Sequence, residues 1–226
     1  MIRVVLADDI PLFRDMVFDT LSEEDDIEIV GQAANGKDAL ALCKQHNPDI
    51  LLLDYEMPIL NGLGTTQAIV QDKAILTKVV IITAYEEDEL IFQLIQAGAS
   101  GYLLKDTPME EVVRAIRIAH SGESLLQPRV AQKVMRMMAK MGPLNHASPT
   151  AQDRSAATLD RLNDLTPREK EILAAIAQGK NNRELADHFC ISGPTVKTHV
   201  ARVMQKLEVR DRVELVLLAV QAGLVT

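Results

Sequence analysis

Asp8-Asp9, Asp54, Thr83 and Lys105 each end, or directly follow, a short apolar run in the first half of this 226-residue chain. The run before Asp54, Ile50 to Leu53, has no residue that could face water, so it reads as a strand buried on both sides. A carboxylate at the carboxyl end of a central strand stands where open α/β sheets bind ligands. Three clustered carboxylates repel and raise one another's pKa unless a cation joins them. Oxygen ligands beside phosphate suit Mg²⁺, which keeps several waters and uses few carboxylates. Lys105 and Thr83 would offer a charge and a hydroxyl to phosphate oxygens. The set reads as a site that accepts a phosphoryl group on a carboxylate, a known covalent nucleophile. Asp54, single and central, is the expected acceptor. Taken one at a time the residues have plainer readings. Asp8 or Asp9 could cap the helix near Pro11, and Thr83 could be only a strand former. The set at four strand ends is what points to chemistry.

Those ends meet only if the strands are parallel neighbours. The pattern predicts strands over 3–7, 27–33, 49–54, 78–83 and 101–104. Helices alternate with them over 11–23, 37–46, 62–73, 87–97 and 108–120, with Pro and Gly punctuation at the boundaries. In the first helix Leu12, Phe13, Met16, Val17, Phe18 and Leu21 make the apolar spacing. Strands alternating with helices imply a parallel sheet covered on both faces, here a flavodoxin-like doubly wound (βα)5 domain of order 2-1-3-4-5. That order brings strands one, three, four and five, with their polar ends, to one edge. A further helix is expected over 128–141 and a flexible linker over 142–160, rich in Pro, Ser, Thr and Ala. The methionines of 135–141 read as a packed or partner-facing helix rather than a metal site.

The rest is all-helical by pattern. Thr166-Pro167-Arg168-Glu169 reads as a capping box that opens one helix. Asn182 and Ser192 are read as caps of the next two, and Asp211 opens a fourth. The domains expected are 1–124, a linker region 125–160, and an all-α four-helix domain 161–226. Net charge divides with them: −13 up to Leu125 and +5 from Leu126 on, within an overall −8. The basic half is the nucleic-acid candidate. Cys190, Ile191 and Ser192 form a short turn between two helices, the spacing of a helix-turn-helix. Thr195, Lys197, Thr198, Ala201 and Arg202 face outward at the start of the second of these, suiting entry into the major groove. Lys180, Arg183, Lys206 and Arg210 are placed to hold phosphates, with Asn182 beside them. The plain alternative is a four-helix domain with a solvated charged face. No apolar run approaches a membrane span, an acidic pair interrupts the N-terminal run, and the two cysteines lack partner spacing, so cytoplasm is expected.

Residues 1 to about 122 resemble response-regulator receiver domains through Asp8-Asp9, Asp54 before Met57-Pro58, Thr83-Ala84 and GASGYLLKD from Gly98 to Asp106. The resemblance implies that Asp54 takes phosphate from a sensor histidine kinase. It implies Mg²⁺ held by Asp9, Asp54 and the backbone carbonyl of Glu56, with Asp8 acting through water. Thr83 and Tyr102 would be the switch pair and Lys105 would bind the phosphoryl group. Residues Leu165 to Val225 resemble the LuxR-type helix-turn-helix through LTPREKEIL, GKNNRELA and ISGPTVKTHVARVMQKL. Gly193-Pro194 and Ala201 depart from the family pattern and bear on which bases are read. Together the two parts resemble a two-component response regulator of the NarL/FixJ type. That implies no enzyme, but a transcription factor that binds double-stranded promoter DNA as a homodimer when activated and works with RNA polymerase. Two alternatives stand: a regulator used without phosphorylation under a protein partner, and an aspartyl-phosphate phosphatase. The phosphatase would need an acid two residues after Asp54, where Glu56 stands, and no cap domain follows.

Overall fold

Ile50, Leu51, Leu52 and Leu53 are all fully buried, which a strand achieves only at the centre of a sheet covered on both faces. They belong to β3 (Ile50–Asp54), the middle of five parallel strands. The others are β1 (Ile2–Ala7), β2 (Ile27–Ala33), β4 (Lys78–Thr83) and β5 (Gly101–Leu104), in the order β2-β1-β3-β4-β5. Helices α1 (Pro11–Ser22), α2 (Gly36–His46), α3 (Gly62–Gln71), α4 (Asp88–Gln96) and α5 (Met109–His120) connect and follow them. The strand order and the alternation are those expected from the sequence. The computed structural model describes residues 1–122, 161–209, 211–221 and 224. The chain divides into two compact units, Met1–Leu126 and Gln127–Thr226. The helix expected over 128–141 and the linker over 142–160 lie outside the described residues.

Register carries the strand ends to one edge. Ala7 pairs with Leu53, Asp54 with Ile82, and Thr83 with Leu104. Alternate strand residues such as Leu6, Leu52 and Ile82 pack with Val17 and Leu21 of α1 and Ile116 of α5. The apolar residues of the first helix divide between two faces. Val17 and Leu21 are buried, but Leu12 is 80% exposed, and Met16 and Phe18 also face out. Leu12 and Met16, four residues apart, form a second row that the sheet does not reach.

The second unit holds a short 3₁₀ turn (Leu162–Asp164) and then α6 (Pro167–Ala177), α7 (Asn182–Phe189), α8 (Gly193–Leu207) and α9 (Arg212–Gln221). The Thr166–Glu169 capping box is present. The cap of α7 is Asn181 and not Asn182: its side chain accepts from Arg183 N and Glu184 N, and Glu184 answers the Asn181 N–H. Val196, Val200, Val203 and Leu207 of α8 face inward as expected, against Leu173 and Leu185 among others. Cys43 is buried, its thiol pushed up to about 12 by burial, and Cys190 is exposed; both are free.

Candidate functional site

Local structure fixes each carboxylate of the acidic edge differently. Asp8 is fully buried: its Oδ1 accepts from the Ile10 N–H at 2.8 Å, and Arg14 donates to its carbonyl at 2.6 Å. Asp9, one residue on, is exposed. Asp54 ends β3 and is almost wholly buried. One oxygen from each of the three lies within 4.8 Å of the others. Lys105, just past β5, reaches in with its Nζ 2.7 Å from Asp8 Oδ2 and 2.9 Å from Asp54 Oδ2. It hydrogen-bonds Asp54, whereas the contact with Asp8 is an ion pair outside hydrogen-bonding geometry, so Asp8 Oδ2 remains a buried oxygen without a hydrogen bond. One ammonium against three carboxylates leaves negative charge in a confined space. The oxygen-rich set, its charge met only in part by Lys105, fits a hard divalent cation.

Burial raises the pKa of Asp54 and Asp8 adds to it, while the hydrogen bond from Lys105 opposes them. Burial by itself would lower Lys105, but its contacts with Asp8 and Asp54 outweigh this and hold it raised. The ring of Phe13 lies under the ammonium, 4.8 Å from Nζ to its centroid, and adds a cation–π contact. Phe13 was legible only as an apolar residue of α1. Thr83 is fully buried and its Oγ1 accepts from the Tyr85 N–H at 3.4 Å, a long bond. Tyr102 is buried, its phenol raised by burial, and its hydroxyl donates to the Tyr85 carbonyl. The Tyr85 main chain therefore links Thr83 and Tyr102, the two residues that the family resemblance pairs as a switch. Glu56 is exposed and its carboxylate engages the Tyr85 phenol, raising that group. A groove lined by Asp9, Tyr55, Glu56, Met57, Pro58 and Asn61 opens beside Asp54.

Thr195, Lys197, Thr198, Ala201 and Arg202 all lie exposed on α8, around the inward Val196 and Val200. Arg183 is exposed in the first turn of α7, and Lys180, just before it, is half-buried with its Nζ on Gln178. Asn182 is half-buried and accepts from Arg212. Lys206 has partners within its own domain. Its ammonium is 2.7 Å from Glu169 Oε2 and also donates to the Asp164 carbonyl, so it ties α8 to the start of α6. The α8 rotation that buries Val203 and Leu207 turns Lys206 toward the start of α6. Arg210 lies outside the described residues.

Residues 4–117 match the response regulator receiver domain family, and residues 163–219 match the bacterial regulatory proteins of the luxR family. The chain is 37% identical to a transcriptional regulatory protein of Bacillus subtilis, YxjL, over 99% of this chain and 97% of that one. It is 35% identical to the response regulator GacA of Pseudomonas aeruginosa, covering 100% and 98%. This chain belongs to the response regulators. Among solved structures, the response regulator ChrA of a heme-sensing two-component system matches at 32% identity and TM-score 0.50, covering 99% of this chain and 98% of that one. A LuxR-family two-component response regulator from Aurantimonas matches at 27% identity and TM-score 0.55, covering 60% and 96%. As a response regulator the chain joins a receiver domain to a LuxR-type DNA-binding domain, the organisation of two-component transcription regulation. Among the described residues no helix is long and apolar enough to cross a membrane.

Proposed function

We propose that Asp54 accepts a phosphoryl group from a phosphohistidine of a sensor kinase, and that this controls DNA binding by the second unit. The observation that carries the reading is the grip of Lys105 on Asp8 and Asp54 at the sheet edge where three carboxylates converge. An Asp54 carboxylate oxygen attacks phosphorus, the P–O bond forms as the P–N bond breaks, and the departing imidazole keeps the electron pair and takes a proton. Asp9, Asp54 and the Glu56 carbonyl would hold Mg²⁺, with Asp8 behind a water; when bound, the ion supplies positive charge against the phosphoryl oxygens. Lys105 turns its ammonium from Asp8 to a phosphoryl oxygen. The Thr83 hydroxyl, held only by its long bond from Tyr85, turns to another. The Tyr85 main chain then shifts, and Tyr102, whose hydroxyl donates to it, moves in turn. The output is a homodimer whose two α8 helices read promoter half-sites about one DNA turn apart, acting on RNA polymerase from the cytoplasm. The chain acts as a switch and not as an enzyme: incubation with small phosphate esters is expected to give no turnover.

The test uses acetyl phosphate or beryllofluoride on wild type and Asp54→Ala. Wild type is expected to become labelled and to gain affinity for a duplex selected from a random pool by about 5- to 150-fold, the usual range of coupling free energies. Asp54→Ala is expected to do neither. Equal labelling, or equal affinity with and without the reagent, rejects the reading.

A further inference from the structure

We propose that Arg212 is a positioning residue for DNA binding: it orients the Asn182 carboxamide so that its NH₂ group meets a backbone phosphate. The inference rests on the DNA reading above and concerns the start of α7. Arg212 opens α9 and is 4% exposed, an unusual depth for an arginine on a small domain. Its Nη1 donates to Asn182 Oδ1 at 2.8 Å and its Nη2 donates to the Lys180 carbonyl. A guanidinium has donors only, so the carboxamide must turn its oxygen inward. The Nδ2 group, with two N–H donors, is thereby directed away from Arg212.

The helix terminus itself has little left to offer an anion. The N–H groups of Arg183 and Glu184 are taken by Asn181 Oδ1, each at 3.0 Å. Besides the Asn182 N–H, the donors at this corner are on side chains: Asn182, the exposed Arg183 and Lys180. A mobile asparagine would present oxygen or nitrogen to a phosphate with similar ease, and the oxygen would repel it. A buried arginine removes that choice before DNA arrives, so the contact needs no reordering on binding. The same guanidinium donates to the Lys180 carbonyl, while the Lys180 ammonium is held separately by Gln178. Arg212 therefore connects the last helix to the phosphate-facing end of the first helix of the helix-turn-helix.

The test measures binding of the full chain to a fluorescent mixed-sequence duplex of about 20 base pairs across a salt series, with thermal melting of each variant. Asn182→Asp keeps an acceptor for Arg212 and loses the two donors. It is expected to melt at or above the wild-type temperature and to bind DNA about tenfold more weakly or worse. Arg212→Met is expected to weaken binding several-fold with the salt slope unchanged, because a buried guanidinium displaces no counterion. Combining it with Asn182→Ala is expected to add nothing to the loss from Asn182→Ala alone. Should Arg212→Met fail to fold, Asn182→Asp still decides. Wild-type affinity in Asn182→Asp overturns the proposal. So does a slope reduced by about 0.9 in Arg212→Met, which would place the guanidinium on a phosphate. Lys197→Ala serves as the reference: it is expected to weaken binding and lower the slope by about 0.9. A wild-type chain that binds no duplex removes the DNA reading together with this one. Normal behaviour of wild type and Lys197→Ala with an unaffected Asn182→Asp removes this one alone.

Discussion

Glu169 shows how much a single side chain carries in the second unit. One of its oxygens accepts from the Thr166 N–H at 2.8 Å, the Thr166 hydroxyl at 3.0 Å and Lys206 at 2.7 Å. The Lys206 bond, with the two from Thr166, pulls its pKa from 4.5 to about 2. A depressed carboxylate pKa contributes stability that is complete above the unfolded value, here 4.5, and is lost as pH falls through the folded value. Glu169→Gln is expected to destabilise the unit by roughly 1–3 kcal/mol at pH 7 and to remove this contribution to acid sensitivity between about pH 4.5 and 2. Denaturant titrations across that window check it. The sequence showed the Thr166–Glu169 pair, because capping depends on local spacing. It did not show Lys206 as the third partner, because a lysine on a basic face resembles every other phosphate ligand. The adjacent asparagines were ambiguous for a similar reason. Either can cap, and the deciding signal was Glu184, three residues after Asn181 and two after Asn182.

At the scale of elements, the loop from β3 to α3 holds Asp54, the proposed phosphoacceptor, against a helix start. Asn61 caps α3, and the Gly62 N–H donates to the Tyr55 carbonyl at 2.8 Å. A Cβ at Gly62 would stand 2.5 Å from the Asp54 carbonyl oxygen and 2.7 Å from Tyr55 Cα, both main-chain atoms that cannot step aside. Ile59 in the same loop takes φ +70°, a strained value for a β-branched residue. Gly62→Ala is expected to move Asp54 out of line with Lys105. Labelling by acetyl phosphate should slow by about tenfold or more while the far-ultraviolet circular dichroism stays that of the wild type. Unchanged labelling would show that the loop tolerates the methyl group. The five strands and most helix ends were legible because apolar runs between Gly, Pro and Asn report burial directly. The outward row of α1, Leu12 and Met16, was not, because helical spacing says that residues share a face and not what the face meets.

Across the whole chain, charge divides as function does, with −13 up to Leu125 and +5 beyond. An acidic receiver on the same chain as a basic DNA reader opposes non-specific attraction to phosphate. Fragment 161–226 is therefore expected to bind a mixed-sequence duplex more tightly than the full chain at low salt, the gap closing as the Debye length falls to about 8 Å near 0.15 M. Anisotropy titrations of both species check it. Moving such a regulator from mostly off to mostly on takes about 5.5 kcal/mol of differential stabilisation, and on the proposed mechanism dimerisation on DNA supplies part of it. The parallel order β2-β1-β3-β4-β5 has one more consequence, in time. Its acidic pocket draws on Asp8 near the start and Lys105 near the end of the receiver. During synthesis no partial chain short of β5 can complete that pocket. On the proposed mechanism a ribosome-bound receiver is expected to take no phosphoryl group until nearly all of its sheet has emerged, so that labelling doubles as proof that the domain has been finished.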